Sequence, residues 1–210
     1  MRRPVVDTDT RYQYADASLT HAHAYLWPAL KGIIAARLWP DKRAFDLGCG
    51  NGAIANLLSE LGFAVTGVDP SEQGIVQARA AFPLLRIEQG TAYDDLAGKY
   101  GKYPLVVSIE VIEHLYYPRR FAKTCFDLVA DGGILIISTP YHGYLKNLAL
   151  SLFGKWDDHL DPLWEGGHIK AFSVMTLRAL LNGAGFNDID FLRIGRIPSL
   201  AKSMIAIARK

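Results

Sequence analysis

The stretch FDLGCGNGAI, residues 45–54, decides the fold class of this chain. Gly48, Gly50 and Gly52 stand at alternate positions, directly after a short apolar run and directly before an apolar helical pattern. Glycine loses more backbone entropy on folding than any other residue, so three of them in one turn need a physical reason. We interpret the stretch as a strand, a tight turn and a helix, in which the backbone passes close to a ligand.

An acidic residue follows this turn at the end of the next β-branched run. Asp69 closes AVTGVD, residues 64–69, and a carboxylate about 20 residues beyond the glycines accepts hydrogen bonds from ribose hydroxyls in nucleotide-binding folds. With Ala53 the glycines also fit the dinucleotide pattern G-x-G-x-x-A. Nicotinamide dinucleotides and S-adenosylmethionine are therefore the two candidate ligands. The alternative is a turn that only joins strand to helix, with Asp69 as a local cap.

The residue two places before the first glycine helps to separate these ligands. Dinucleotide-binding proteins usually carry a small apolar side chain there, whereas this chain has Asp46. A carboxylate faces a pyrophosphate unfavourably but suits a cofactor that carries an ammonium and a sulfonium. Asp46 therefore favours S-adenosylmethionine.

Strand-like and helical patterns alternate along most of the chain. Runs rich in β-branched residues without polar alternation are typical of strands buried on both faces, and hence of a parallel sheet. Their alternation with helices predicts a doubly wound α/β fold. The predicted strands are 43–48, 64–69, 84–90, 104–111 and 133–140, and the predicted helices are 28–39, 53–62, 71–82 and 119–133.

The last third of the chain departs from this alternation. Ser173 is a candidate N-cap of a helix over 174–186, and two strand-like runs, 188–196 and 203–210, follow with no helix between them. A short connection of this kind favours antiparallel pairing at the sheet edge. The irregular segment 141–172 is predicted to be functional, since long irregular stretches in compact domains usually are.

The composition indicates a globular protein in a reducing compartment. The chain has 210 residues, 50% of them hydrophobic, and a formal net charge of +2, which provides no field suited to nucleic acid. Two cysteines, Cys49 and Cys125, form no disulfide framework. The first residues lack the apolar run of a signal peptide. We expect a cytoplasmic protein that does not bind nucleic acid.

Five motifs in order give the chain a family resemblance. It resembles class I S-adenosylmethionine-dependent methyltransferases, and EVIEH at 110–114 resembles the ubiquinone-biosynthesis O-methyltransferases and their relatives. This resemblance implies a Rossmann-like, seven-stranded sheet of order 3-2-1-4-5-7-6 with the last strand antiparallel. The motifs are FDLGCGNGA, VTGVDPSEQGIVQAR, VVSIEVIEHL, GGILIISTP and HIKAFSVMTLRALLNGAGF.

We expect a single methyltransferase domain over 1–210. It comprises an N-terminal lid and helix (1–40), a cofactor-binding core (43–140), a substrate-covering insertion (141–172), and a final helix with edge strands (173–210).

The resemblance also implies where the cofactor lies. Asp46 and the glycines would contact its methionine part, Asp69 the ribose hydroxyls, and Glu110 would close the pocket. Relatives often carry an acidic residue at position 91 or 93, where this chain has Thr91 and Tyr93, which puts a side-chain bond to the adenine amino group in doubt. The cofactor-binding candidates are Asp46, Gly48, Gly50, Gly52, Asp69, Pro70, Ser71, Thr91, Ala92, Tyr93 and Glu110.

The candidates for the chemistry are Glu113, His114 and His168. Glu110, Glu113 and His114 stand at i, i+3 and i+4, so a helix would place them on one side. His114 titrates near neutrality and is the first candidate for a general base, and His168 is the second histidine of interest. The resemblance adds the option of a divalent cation held by these groups. The alternative is that a glutamate here only favours a helix N-terminus.

The segment 141–172 is rich in aromatic and histidine side chains. We expect these side chains either to bind the acceptor or to pack within a lid. Its residues 144–156 form an amphipathic pattern that predicts either contact with a membrane surface or packing on the core. Upstream, an N-terminal lid is predicted from position alone. The candidates are Tyr141, His142, Trp156, His159, Trp164 and His168 in the insertion, and His21, His23 and Tyr25 in the lid.

The expected function is transfer of a methyl group from S-adenosylmethionine to a small-molecule acceptor, at an oxygen. The acceptor would be a phenolic quinone precursor, or a sugar of a glycan or natural product. Two alternatives stay open, a nicotinamide-dependent oxidoreductase and a non-catalytic cofactor-binding scaffold. The sequence leaves the metal requirement and the oligomeric state open.

Overall fold

In a computed structural model, which describes residues 14–160, 163 and 167–210, seven strands form one sheet. Their order is β3-β2-β1-β4-β5-β7-β6, and β7 runs antiparallel to both of its neighbours. The predicted order and the antiparallel last strand are confirmed. The strands are β1 (Arg43–Leu47), β2 (Ala64–Asp69), β3 (Arg86–Gln89), β4 (Tyr103–Ile109), β5 (Val129–Pro140), β6 (Asn187–Ile194) and β7 (Ser203–Arg209).

Helices cover both faces of this sheet, so its central strands are buried on both sides. Along β5, Leu135 and Ile137 belong to one apolar cluster while Ile134 and Ile136 belong to the other. Each face of these apolar strands therefore packs in one of the two clusters, which explains why their sequences show continuous apolar runs. The helices are α1 (His21–Ala35), α2 (Ala53–Glu60), α3 (Glu72–Ala81), α4 (Leu96–Tyr100), α5 (Pro118–Leu128), α6 (Tyr144–Leu152), α7 (Trp156–Leu160) and α8 (Val174–Ala184).

The first helix begins earlier than predicted. Thr20 is its N-cap and accepts a hydrogen bond from the His23 amide, so Pro28 lies inside the helix instead of opening it. Thr20 is a good N-cap residue about two helical turns before Pro28, and its capping outweighed the preference of proline for the first helical position. Two further predicted bounds were wrong, because α1 ends at Ala35 and α5 ends at Leu128, where β5 begins.

Ser173 is the N-cap of α8, as predicted, and it forms a capping box with Thr176. The Ser173 hydroxyl accepts from the Thr176 amide (3.3 Å), and the Thr176 hydroxyl accepts from the Ser173 amide (2.9 Å). We expect Ser173→Ala to lower the free energy of unfolding by about 0.5–2 kcal/mol, measured by urea denaturation. Ser199→Ala is the control, within about 0.5 kcal/mol of the wild type. Equal losses in the two variants would contradict the capping role.

The sheet topology collects several chain segments at one edge. The carboxyl ends of the parallel strands meet there, and because β7 is antiparallel its first residue joins them, with Ser203 paired to Pro140. Residues far apart in sequence therefore share one rim. In the part of the chain that the structure describes, no helix has the length and apolar character needed to cross a membrane.

Candidate active site

A large cavity opens at this edge, with a volume of about 1110 Å³. Most of the predicted cofactor residues line it, and so do all three catalytic candidates, Glu113, His114 and His168. Asp46, Gly50 and Gly52 do not line it but lie in or beside the turn that forms its floor. The lining cofactor candidates are Gly48, Asp69, Pro70, Ser71, Thr91, Ala92, Tyr93 and Glu110.

The glycine turn is required by the chain's own packing. Gly48 and Gly50 have φ angles of 85° and 51°, where side chains are disfavoured. A Cβ on Gly48 would collide with the Val111 side chain, and one on Gly50 with the Tyr14 hydroxyl. The sequence predicted that the backbone of this turn passes close to a ligand. In the structure it passes close to side chains of other parts of the chain.

Asp69 connects the glycine turn to the end of β2. Its Oδ2 accepts from the Gly50 amide (2.9 Å) and its Oδ1 from the Ser71 amide (2.8 Å). Burial raises the pKa of this carboxyl, and the two backbone donors oppose that shift. The carboxylate thus braces the turn and lines the cavity at the same time.

Asp46 lies beneath the turn and is 1% exposed. Its Oδ2 has no hydrogen-bond partner among the described residues. Burial, and secondarily the neighbouring Asp69, raises the pKa of Asp46 to about 8. An approaching positive charge would therefore favour ionisation of the Asp46 carboxyl.

The raised pKa of Asp46 predicts a pH-dependent stability. The folded state binds this proton more tightly than the unfolded state, in which the pKa is about 3.9, so the contribution to stability is lost as the pH rises toward about 8. Between pH 7 and 8, where unfolded histidines are mostly neutral, Asp46 should contribute a fall of up to about 1.4 kcal/mol per pH unit to the unfolding free energy, in addition to the contributions of Glu110 and Glu113. Asp46→Asn should reduce this slope in urea titrations. An unchanged slope would contradict the assignment.

A short N-terminal strap, residues 14–18, lies across the glycine turn. Asn51 Nδ2 donates to the carbonyls of Asp16 (2.7 Å) and Ser18 (2.9 Å), and Gln77 Nε2 donates to the Tyr14 carbonyl (2.8 Å). The strap leads into α1, from which the predicted lid residues His21, His23 and Tyr25 all line the cavity.

Glu110 stands at the end of β4 with a φ of 55°, an unusual conformation for a non-glycine residue. Ser138 Oγ donates to its Oε1 (2.8 Å) and Ser203 Oγ to its Oε2 (3.3 Å). Burial raises the pKa of Glu110 to about 7, although both serine hydrogen bonds oppose the shift. Strained backbone that its surroundings hold in place tends to occur at functional sites.

The segment after Glu110 is a short 3₁₀ turn, Ile112–His114, and not the α-helix that we predicted. It nevertheless brings the catalytic candidates together. The His114 and His168 rings lie 5.1 Å apart, His114 Nε2 lies 4.0 Å from Glu113 Oε1, and one ligating atom each of Glu113, His114 and His168 lies within 4.8 Å of the other two.

Glu113 is the most deeply buried of the three. It is 0% exposed, and its carboxyl oxygens make no hydrogen bond of standard geometry among the described residues, although the Thr139 side chain interacts with the carboxyl and opposes the rise of its pKa. Burial, with a smaller contribution from Glu110, raises the pKa of this carboxyl well above its usual range. The helix-dipole alternative does not account for a buried carboxyl, because the dipole favours acidic groups at exposed helix ends.

Backbone contacts fix the end of the insertion against this turn. The Glu113 carbonyl accepts from the amides of Ile169 and Lys170, both at 3.0 Å. His114 Nδ1 lies 3.1 Å from the Gly167 carbonyl, which sets Nδ1 as the protonated nitrogen and leaves the lone pair on Nε2. His168 is held beside His114 by these contacts.

The other insertion residues divide into two groups. His159 lines the cavity, and its Nε2 lies 3.2 Å from Nε2 of His142. Tyr141, His142 and Trp156 lie outside the lining, and Trp156 stacks on His142 with ring centroids 6.0 Å apart. Trp164 lies outside the described residues.

The apolar side of the segment 144–156 is largely exposed, although Ala149 and Phe153 on it also line the cavity. Leu152 and Phe153 are 72% and 75% exposed, and Lys146 is the buried residue of α6. Packing of this apolar side on the core is therefore not what the structure shows. Contact of the segment with a membrane surface stays a prediction.

Comparison with known proteins now identifies the family. Residues 17–190 match a family model described as a methyltransferase domain. The chain belongs to this family. The resemblance drawn from the five motifs is thereby confirmed at the level of the family.

Curated relatives of this methyltransferase-domain chain include ubiquinone biosynthesis O-methyltransferases. The one from Caulobacter sp. (strain K31) is 39% identical over 53% of this chain and 46% of the relative. The one from Mesorhizobium japonicum is 32% identical over 74% of this chain and 64% of the relative. The chain thus spans about half to two thirds of the length of these relatives.

Solved structures confirm the methyltransferase fold. An S-adenosylmethionine-dependent methyltransferase from Thermotoga maritima, a possible histamine N-methyltransferase, superposes with a TM-score of 0.65 and 18% identity, covering 90% of this chain and 92% of its own. A second one, from Archaeoglobus fulgidus, also has a TM-score of 0.65 and 18% identity, covering 88% and 93%.

Sequence reasoning missed a group of cavity residues from the late part of this methyltransferase-domain chain. Ser203 bonds Glu110, and Lys146, Arg196 and Lys202 line the same cavity. No motif joins them, because they stand on α6, in the loop after β6 and at the start of β7. The predicted antiparallel pairing of the last strands was the only signal that pointed to this edge.

Proposed function

We propose that this chain transfers a methyl group from S-adenosylmethionine to an oxygen of a small acceptor. A phenolic hydroxyl of a quinone precursor is the first acceptor class to test, and a sugar hydroxyl is the second. Support comes from the family, from the activities named for its curated relatives, and above all from one observation. Asp69 and the cluster of Glu113, His114 and His168 line the same cavity.

The residues at the β1 and β2 ends fit the cofactor. Asp69 presents a carboxylate suited to ribose hydroxyls, and Asp46 has a buried oxygen without a partner beside it. A carboxyl with a raised pKa gains from an approaching cation, which suits the ammonium and the sulfonium. When bound, the cofactor supplies a methyl group already activated by the sulfonium. The chain then has to align the acceptor oxygen with that methyl.

His114 is the residue proposed to take the acceptor proton. Its Nδ1 faces the Gly167 carbonyl, so Nε2 carries the lone pair that accepts a proton. Glu113 and His168 lie beside it, so the Glu113 carboxyl is placed to interact with the imidazolium that forms when His114 Nε2 accepts the proton of the acceptor hydroxyl. A positioned base of this kind contributes about 10²–10⁴-fold to a reaction that needs proton removal.

The same three residues fit a divalent cation. A buried carboxyl group beside two imidazoles is a donor set that binds transition-metal ions once the carboxyl is ionised. Glu113, His114 and His168 would hold it, and such an ion would lower the pKa of a coordinated hydroxyl. Imidazole ligands suit zinc and a carboxylate ligand suits manganese, so these two ions are the first to test.

The test is methyl transfer from isotopically labelled S-adenosylmethionine to catechol and to a sugar, with and without a chelator. Transfer to catechol that survives chelation supports His114 as the base. Transfer that is lost with chelator and restored by added zinc or manganese supports the cation. Absence of transfer to both acceptor classes would contradict the proposed function, and oxidation of an acceptor with a nicotinamide would replace it.

A further inference from the structure

Three cationic side chains line the end of the cavity that lies beside β5 and β7. Lys146 comes from α6, Arg196 from the loop after β6, and Lys202 from the residue before β7. Lys146 Nζ donates to the Lys202 carbonyl (3.1 Å), which joins two of the three elements. The chain thus concentrates positive charge at one end of an otherwise largely apolar cavity.

These cations have no ion pair among the described residues. Lys146 is only 8% exposed, and the ion pairs of the structure leave it, Arg196 and Lys202 unused. Lys155 also lines the cavity but pairs with Asp158 at 2.8 Å. A buried charge normally has a counter-charge because burial without one is costly, and among the described residues Lys146 has none within ion-pair distance.

The carboxyl groups nearby do not supply that partner. Glu110 interacts electrostatically with Lys146 but forms no direct ion pair with it, and its two oxygens accept from Ser138 and Ser203. Lys202 Nζ instead contacts His21 Nε2 at 3.2 Å and the Tyr25 ring at 5.2 Å. The nearest contacts of these cations therefore leave room for an anion.

The position of these cations assigns them to the acceptor. In the sheet order, β7 stands four strands from β2, which carries Asp69, so the two ends of the cavity are separated by roughly 19 Å at about 4.8 Å per strand. Lys146 also lies close enough to His159 and His168 to lower the pKa of each. The cations thus lie on the histidine side of the cavity and far from the ribose position.

We propose that Lys146, Arg196 and Lys202 bind an anionic group, a carboxylate or a phosphate, on the methyl acceptor. Lysine and arginine form strong charge-assisted hydrogen bonds with both groups. Anchored there, the acceptor extends its hydroxyl toward Glu113, His114 and His168. This inference rests on the proposed function and narrows its substrate class to acidic acceptors.

The test uses titration calorimetry on the full chain saturated with S-adenosylhomocysteine. The probes are catechol, its carboxylated relative dihydroxybenzoate, and phenyl phosphate with phenol as its neutral partner. One of the two anions should bind at least about tenfold more tightly than its neutral partner. The anion that does so distinguishes a carboxylate from a phosphate.

Charge-neutral variants decide whether the three cations are responsible. Arg196→Gln, at an exposed position, and Lys146→Gln should each abolish most of that preference, whereas Lys155→Gln, the control, should keep it. Neutral probes that bind as well as the anions, or no binding by any probe, would overturn the inference. So would a loss in Lys155→Gln equal to that in Arg196→Gln.

The same titrations separate this inference from the proposed function. S-adenosylhomocysteine should bind the wild type and the variants with equal affinity. If Lys146→Gln and Arg196→Gln weaken that binding instead, the cations belong to the cofactor and the inference is wrong. If the wild type does not bind S-adenosylhomocysteine, the proposed function itself fails.

Discussion

Replacing His114 by alanine is expected to lower the turnover number for methyl transfer by about 10²–10⁴-fold, the usual contribution of a positioned general base. The variant loses the Nε2 lone pair, which the contact of Nδ1 with the Gly167 carbonyl directs to the acceptor. The affinity for S-adenosylhomocysteine should stay unchanged, because Asp46 and Asp69 lie at the ends of β1 and β2. Steady-state kinetics together with calorimetry would separate these two effects.

The pH profile adds a sharper test of the His114 variant. Turnover of the wild type should fall at acidic pH as the base is protonated, and that limb should disappear in His114→Ala. His142→Ala is the matched control, since that histidine does not line the cavity. Turnover of His114→Ala within about threefold of the wild type would exclude His114 as the base.

Replacing Asp69 by alanine should weaken cofactor binding by about 1–3 kcal/mol, or roughly 5–150-fold. The variant loses the carboxylate proposed for the ribose hydroxyls, and it also loses the two hydrogen bonds that brace Gly50 and Ser71. Calorimetry with S-adenosylmethionine measures the change.

The double role of Asp69 makes a folding control necessary. Far-ultraviolet circular dichroism and urea denaturation should show a folded variant before affinities are compared. Asp127→Ala, which removes an exposed ion pair with Lys123 on α5, should bind the cofactor like the wild type. Unchanged affinity in a folded Asp69→Ala would rule out the ribose role.

The sheet could be predicted from the sequence because its signals are local. Continuous apolar runs indicated strands buried on both faces, and the short connection before β7 indicated the antiparallel pair. Gly48 and Asp69 followed from their position at strand ends. Each of these patterns spans only a few residues, and its interpretation does not depend on tertiary contacts.

The remaining features depend on tertiary contacts that no local pattern encodes. The 3₁₀ turn at Ile112–His114 is tied to the insertion by the Glu113 carbonyl, which the spacing of EVIEH does not reveal. Burial of Lys146 depends on the Lys202 carbonyl, 56 residues away. The outward face of α6 likewise follows from which side of the helix meets the sheet edge.

Titration calorimetry with S-adenosylmethionine, S-adenosylhomocysteine and NADH on the purified protein tests the central claim most directly. The geometry around Asp46 and Asp69 predicts micromolar binding of the two sulfur nucleosides and no binding of NADH. Binding of NADH alone would contradict the proposed methyl transfer and leave only the fold.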